Sequence, residues 1–86
     1  MAGISERVRD RIAAQFQIPV DMIEERVRLD TRLVEDLGAG ELDIVELALS
    51  LEEEFGVDFP EDEFGQTVRT VRDVVEFVST RLGGER

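Results

Sequence analysis

The 86-residue chain has no cysteine, histidine, tryptophan, tyrosine or lysine, and all ten of its basic residues are arginine. Without cysteine there is no disulfide scaffold, no thiol nucleophile and no thiolate zinc site. Without histidine it lacks the commonest general base and the commonest transition-metal ligand. No apolar run approaches the roughly 20 residues that a membrane-spanning helix needs. The opening Met-Ala-Gly-Ile-Ser-Glu-Arg is not the basic-then-apolar start of a secretory signal, so a cytoplasmic location is expected. These absences together argue against an enzyme. What is present is a hydrophobic fraction of 42%, enough for one globular domain over residues 1–86 with a modest core. A chain of this length buries about 60–65% of the surface its unfolded form exposes.

The formal net charge of −11 is concentrated in the middle of the chain. Residues 1–29 carry five acids and five arginines, whereas residues 30–65 carry thirteen acids against Arg32 alone, a net of −12. Residues 66–86, with four arginines and three acids, return to +1. Such an acidic block repels nucleic acid and anionic membrane surfaces and steers basic partners toward itself. The plainer alternative is a solvated face that keeps the protein soluble.

Ile4, Val8, Ile12 and Phe16 recur every fourth residue with Ala13 beside them, which predicts an amphipathic helix of about 14 residues. Ile18-Pro19 interrupts it, and residues 20–26 have room for one more helical turn. Val27, Leu29, Thr31 and Leu33 then alternate with polar residues in the manner of a strand. A lone strand makes no sheet, so an extended loop that turns Leu29 and Leu33 inward is expected. After a turn at Leu37-Gly38-Ala39-Gly40 comes the strongest helix, over about 41–55. Its apolar stripe is Ile44, Ala48, Leu51 and Phe55, widened by Leu42, Val45, Leu47 and Leu49. Asp43, Glu46, Ser50, Glu53 and Glu54 fall on the opposite side. Gly56 suits the helix end, and Pro60 suits the first position of a short acidic helix over 60–65. Thr70 is a good N-cap for the last helix, whose apolar positions are Val71, Val74, Val75, Val78 and Leu82 before Gly83-Gly84 closes it. The expected architecture is all-α, a small four-helix bundle with a long loop between its first two helices.

Chemistry has few footholds. Carboxylates abound, but a catalytic pair needs one carboxyl in an apolar pocket and another in a polar one, and solvated acids are the default. Asp30 and Glu41 stand at positions 1 and 12 of a calcium-loop window, yet Arg32, Val34 and Glu35 occupy positions where that loop needs ligands and a glycine. Gly38-Ala39-Gly40 lacks the remaining spacing and the lysine of a phosphate-binding loop.

The segment Leu33–Phe55, with its core Leu-Gly-Ala-Gly-Glu-Leu-Asp-Ile-Val-Glu, resembles the acyl carrier protein family. Val57-Asp58-Phe59-Pro60, the following acidic stretch and Thr70-Val71-Arg72-Asp73-Val74 continue the likeness, and Ile4-Ser5-Glu6-Arg7-Val8 is similar to the family's first helix. The resemblance implies a four-helix bundle. It also implies a serine, in a Gly-Ala-Asp-Ser-Leu-Asp motif, that carries a 4'-phosphopantetheine arm. Here that stretch is Gly38-Ala39-Gly40-Glu41-Leu42-Asp43, so the attachment position is Glu41, which has no hydroxyl to receive the arm. Thr31, in the long loop, and Ser50, more than two turns into the helix, are poor substitutes. No bound cofactor is therefore expected. Glu41 either serves the helix N-terminus as an acid in the first turn or keeps a negative charge where the arm's phosphodiester would sit; a laboratory substitution is a further possibility, although Gly40 also departs from the motif.

By the same resemblance, Asp36, Asp43, Glu46, Glu52 and Glu53 match acidic positions that the family presents to basic enzyme patches, with Leu42 and Leu49 as the flanking apolar positions. Core packing is the plainer role for both leucines, more so for Leu49. The function expected is a monomeric, non-catalytic carrier-like protein of fatty-acid or polyketide-type biosynthesis. It would dock basic acyl-transfer or condensing enzymes through its acidic second helix without an arm. The alternatives are a working carrier, with its arm elsewhere or with a parent serine at 41, and an interaction module for an unrelated basic partner.

Overall fold

In the computed structural model, residues 3–83 are described. The element order is α1 (Ile4–Gln15), a 3-10 turn (Val20–Met22), α2 (Ile23–Arg26), α3 (Glu41–Phe55), α4 (Glu61–Thr67) and α5 (Val71–Gly83). The all-α expectation holds, and the extra turn allowed at 20–26 is the 3-10 turn followed by α2. Gly84, named as part of the final stop, lies outside the described residues.

Helix α1 packs on both α3 and α5, and α4 packs on α3. Val8 and Ile12 from α1, Leu47, Ala48 and Leu51 from α3, and Val71, Val74 and Val78 from α5 form the buried centre. Phe59, Phe64 and Phe77 fill the space between the α3–α4 connection, α4 and α5. Phe59 stacks on Phe64 at 5.7 Å, and Phe77 meets both edge-on at 5.2 and 5.3 Å. Phe77 went uncounted in the apolar pattern of α5, whereas Leu82, which was counted, is exposed.

Helix α1 is shorter than its periodicity suggests because it ends on itself, ahead of Pro19. Gln17 adopts a left-handed φ of 58°, and the N–H groups of Ile18 and Gln17 donate to the carbonyls of Ala13 and Ala14. That pair of bonds is a Schellman closure, which satisfies carbonyls left without helical partners. Gly56 ends α3 in the same region of backbone space, with φ 68°, as its sequence position predicts. Pro60 stands just before α4 as its cap, and the helix runs to Thr67. At the start of α5 the Asp73 N–H donates to Thr70 Oγ1 at 3.2 Å while Asp73 accepts from the Thr70 N–H at 3.1 Å. This reciprocal capping box matches the Thr70 cap read from sequence.

The strand-like alternation at 27–33 does find a partner. Arg32 bridges Thr70 in antiparallel fashion, with Leu33 N–H donating to the Arg69 carbonyl and Val71 N–H to that of Thr31. Val27, Thr31 and Leu33 are buried, but Leu29 is 39% exposed. The inward expectation for Leu29 fails because Thr31 N–H donates to the Arg28 carbonyl, closing a turn that puts Leu29 at its corner. Among the described residues no helix is long and apolar enough to cross a membrane.

Candidate functional site

Helix α3 carries the residues of interest, and the helical period distributes them over four sides. Leu47, Ala48 and Leu51 face the core. Asp43, Ser50 and Glu54 lie on the flank toward α1. Glu41, Val45 and Glu52 lie on the flank toward α4. Leu42, Glu46, Leu49 and Glu53 form the outward side.

The α1 flank is a set of intramolecular contacts. Glu54 receives Arg7 Nε at 2.8 Å and Arg11 Nη2 at 2.8 Å. The two guanidinium groups bonded to it, Arg7 and then Arg11, hold its carboxyl below the ordinary carboxylate range. Arg11 Nη1 also donates to Ser50 Oγ at 3.0 Å, Gln15 Nε2 donates to the Asp43 carbonyl at 2.6 Å, and Arg7 lies over the Phe55 ring at 4.3 Å. Glu54 and Ser50, read from sequence as members of the charged outer side, thus serve to join α3 to α1.

The acids anticipated as docking charges divide in the same way. Asp36 accepts from Arg32 Nη2 at 2.9 Å and from the Arg32 N–H at 2.8 Å; the Arg32 side chain is the main cause of its lowered pKa. Asp43 accepts from the Gly40 N–H at 2.8 Å, one half of a capping box, since Gly40 has no side chain with which to complete it. Glu52 accepts from the Phe59 N–H at 2.6 Å. Glu46 and Glu53, both exposed, have no hydrogen-bond or ion-pair partner among the described residues. Beside them Leu42 is 68% and Leu49 48% exposed, so the plainer assignment of either leucine to the core is ruled out. Val45, expected from sequence to widen the apolar stripe, is also exposed, on the flank toward α4.

At its N-terminus α3 starts directly at Glu41, with Gly40 as an extended cap residue at φ −98°. Glu41 is exposed and borders a shallow groove with Ile44, Val45, Asp62, Gly65 and Gln66. No serine or threonine occurs between residues 32 and 49. Thr31 is buried, its Oγ1 donating to the Arg26 carbonyl at 3.1 Å and accepting from the Arg28 N–H at 2.8 Å. Among the described residues no group of three or more acids is arranged to hold a metal ion.

Residues 6–78 match the family model described as the phosphopantetheine attachment site. The chain is also 37% identical, over 75 residues, to the acyl carrier protein of Campylobacter hominis, an alignment covering 87% of this chain and 89% of that one. The chain belongs to the acyl carrier protein family. Membership makes it a carrier-type protein and not a catalyst. A phosphopantetheine arm is joined through a side-chain hydroxyl, and the residues here do not fit that requirement at the first turn of α3. Glu41 has a carboxylate, Ser50 is engaged by Arg11 on the α1 flank, and both hydrogen-bonding roles of the Thr31 hydroxyl are taken.

Proposed function

We propose that this member of the acyl carrier protein family is an armless docking protein, a single-domain monomer acting in fatty-acid or polyketide-type biosynthesis. It engages the basic surfaces of acyl-transfer or condensing enzymes through the outward side of α3. The observation that carries the reading is the contrast within one helix: Glu46 and Glu53 are exposed and, among the described residues, unpartnered beside exposed Leu42 and Leu49, while Glu41 begins the same helix without a hydroxyl. A mixed acidic and apolar stripe suits a basic partner with apolar shoulders. The acids raise the encounter rate and set orientation, and the leucines contribute contact area.

Asp36, Asp43 and Glu52 add to the negative field, but each is already committed to a backbone N–H of its own chain. Glu41 adds a charge at the helix start, beside N–H groups that have no carbonyl partner within the helix, a favourable place for a carboxylate. The test is binding of a purified condensing enzyme of bacterial fatty-acid synthesis to the wild-type chain and to Glu46→Arg with Glu53→Arg. Reversing both charges weakens binding by more than about tenfold at low salt, given the cost of opposing like charges, while far-UV circular dichroism stays unchanged. Equal binding by the two proteins would falsify the assignment of this face.

A further inference from the structure

Glu52 was grouped by sequence with the docking acids, but its position in the fold gives it different work. Its carbonyl accepts from the Gly56 N–H at 2.8 Å and the Val57 N–H at 3.3 Å. Its carboxylate accepts from the Phe59 N–H at 2.6 Å. One residue thus holds three backbone donors of the five-residue connection 56–60, and the carboxylate bond is a short, charge-assisted one. The segment so held contains Val57, half-buried, and, between the bonded Val57 and Phe59, Asp58, exposed and without a partner among the described residues. Together with Glu46, Leu49 and Glu53 they line an open groove of ≈710 Å³ beside the C-terminal half of α3.

We infer that Glu52 is a positioning residue that presents Val57 and Asp58 as the far wall of a seat for a long basic side chain of the docking partner. Leu49 and Val57 make an apolar bed for the methylene stem of an arginine or lysine, and Glu46, Glu53 and Asp58 surround its charged tip. Long basic side chains are built for such a place, with an apolar stem beneath a solvated charge. A second copy of this chain is a poor occupant, since its own acidic block would meet these three carboxylates. The inference rests on the docking reading and extends it past the helix to the connection that follows.

The experiment compares Glu52→Gln, Glu52→Ala, Asp58→Asn and Glu53→Gln by amide hydrogen exchange and by affinity for the same condensing enzyme across a salt series. Glutamine keeps an acceptor oxygen and loses the charge. Glu52→Gln is therefore expected to keep Phe59 exchange within about threefold of wild type, and Glu52→Ala to speed it by about tenfold or more, as a lost local bond allows. In binding, Asp58→Asn and Glu53→Gln each weaken the complex by about two- to fivefold, the range for exposed charge pairs, with a shallower salt dependence. Glu52→Gln binds like wild type and Glu52→Ala is weakened like Asp58→Asn. If Glu52→Gln is weakened as much as Glu53→Gln, Glu52 is a docking charge and the inference is overturned. Wild-type affinity in Asp58→Asn likewise removes the far wall. A wild-type chain that binds no condensing enzyme defeats the docking reading and the seat with it; the exchange measurement then still decides whether Glu52 fixes the connection.

Discussion

Two sides of α3 carry the same residue type in opposite settings. On the α1 flank, Glu54 is two-thirds or more covered and holds two arginines. On the outward side, Glu46 and Glu53 stand in solvent with no arginine to meet among the described residues. The contrast extends to the leucines, since Leu47 and Leu51 are fully buried whereas Leu42 and Leu49 are open. A carboxylate already bonded to two internal guanidinium groups has little left to offer a partner, whereas an unpaired one beside open leucines does. The charge of a helix therefore says less about its function than the distribution of partners around it.

The sharpest way to break this comparison is to remove one leucine from each side. Leu51→Ala, in the core, is expected to cost about 2–5 kcal/mol in urea denaturation. Leu49→Ala, on the open side, is expected to shift stability by no more than about 0.5 kcal/mol. Similar losses at both positions would mean that the two sides are not distinct.

The acids sharpen it next. Glu54 has a lowered pKa because Arg7 and Arg11 favour its charged form, so its stabilising contribution is present at neutral pH and is lost as pH falls through that lowered value. Glu54→Gln should therefore reduce the urea midpoint at pH 7, and the gap from wild type should close as pH drops below the ordinary carboxylate range. Glu53→Gln has no pairing to lose among the described residues, so its midpoint at pH 7 should match or slightly exceed that of wild type.

A further contrast lies between the ends of α1 and α3, which share a left-handed closing residue but not its type. Gly56→Ala imposes a side chain on a φ of 68° and should cost about 1–2 kcal/mol. Gln17→Gly relieves the same strain at a φ of 58°, and the greater freedom of glycine in the unfolded chain offsets part of that relief. A net gain of at most about 1 kcal/mol in thermal unfolding is expected.

Much of this was legible in the sequence. The bounds of α3, its Gly56 stop, the Thr70 cap and the core positions of α1 follow from period and end chemistry, both local properties of the chain. The family followed from a segment whose order of residues is distinctive. What escaped depends on contacts distant in sequence. Arg7 and Arg11 reach Glu54 across more than forty residues, so nothing near Glu54 distinguishes it from Glu53. The single bridge between Arg32 and Thr70 is too short to give its partner segment a pattern. Leu42 and Leu49 are apolar and so pass for part of the stripe, although the helical period sets both on the far side of α3 from Ile44 and Leu51. Glu52 gave one local hint, since it lies seven residues before Phe59 across a glycine stop, a span its carboxylate closes.

The central claim is that this acyl carrier protein relative works without an arm, and its most direct test is intact mass. The protein is purified from its own host and weighed, then weighed again after incubation with a broad-specificity phosphopantetheinyl transferase and coenzyme A. The unmodified mass in both samples is the predicted result. A parallel sample of Gly40→Asp with Glu41→Ser, which restores the attachment motif, should gain the phosphopantetheine mass and so establish that the assay reports on this fold. An added phosphopantetheine mass on the wild-type chain would contradict the account, because another hydroxyl would then carry the arm.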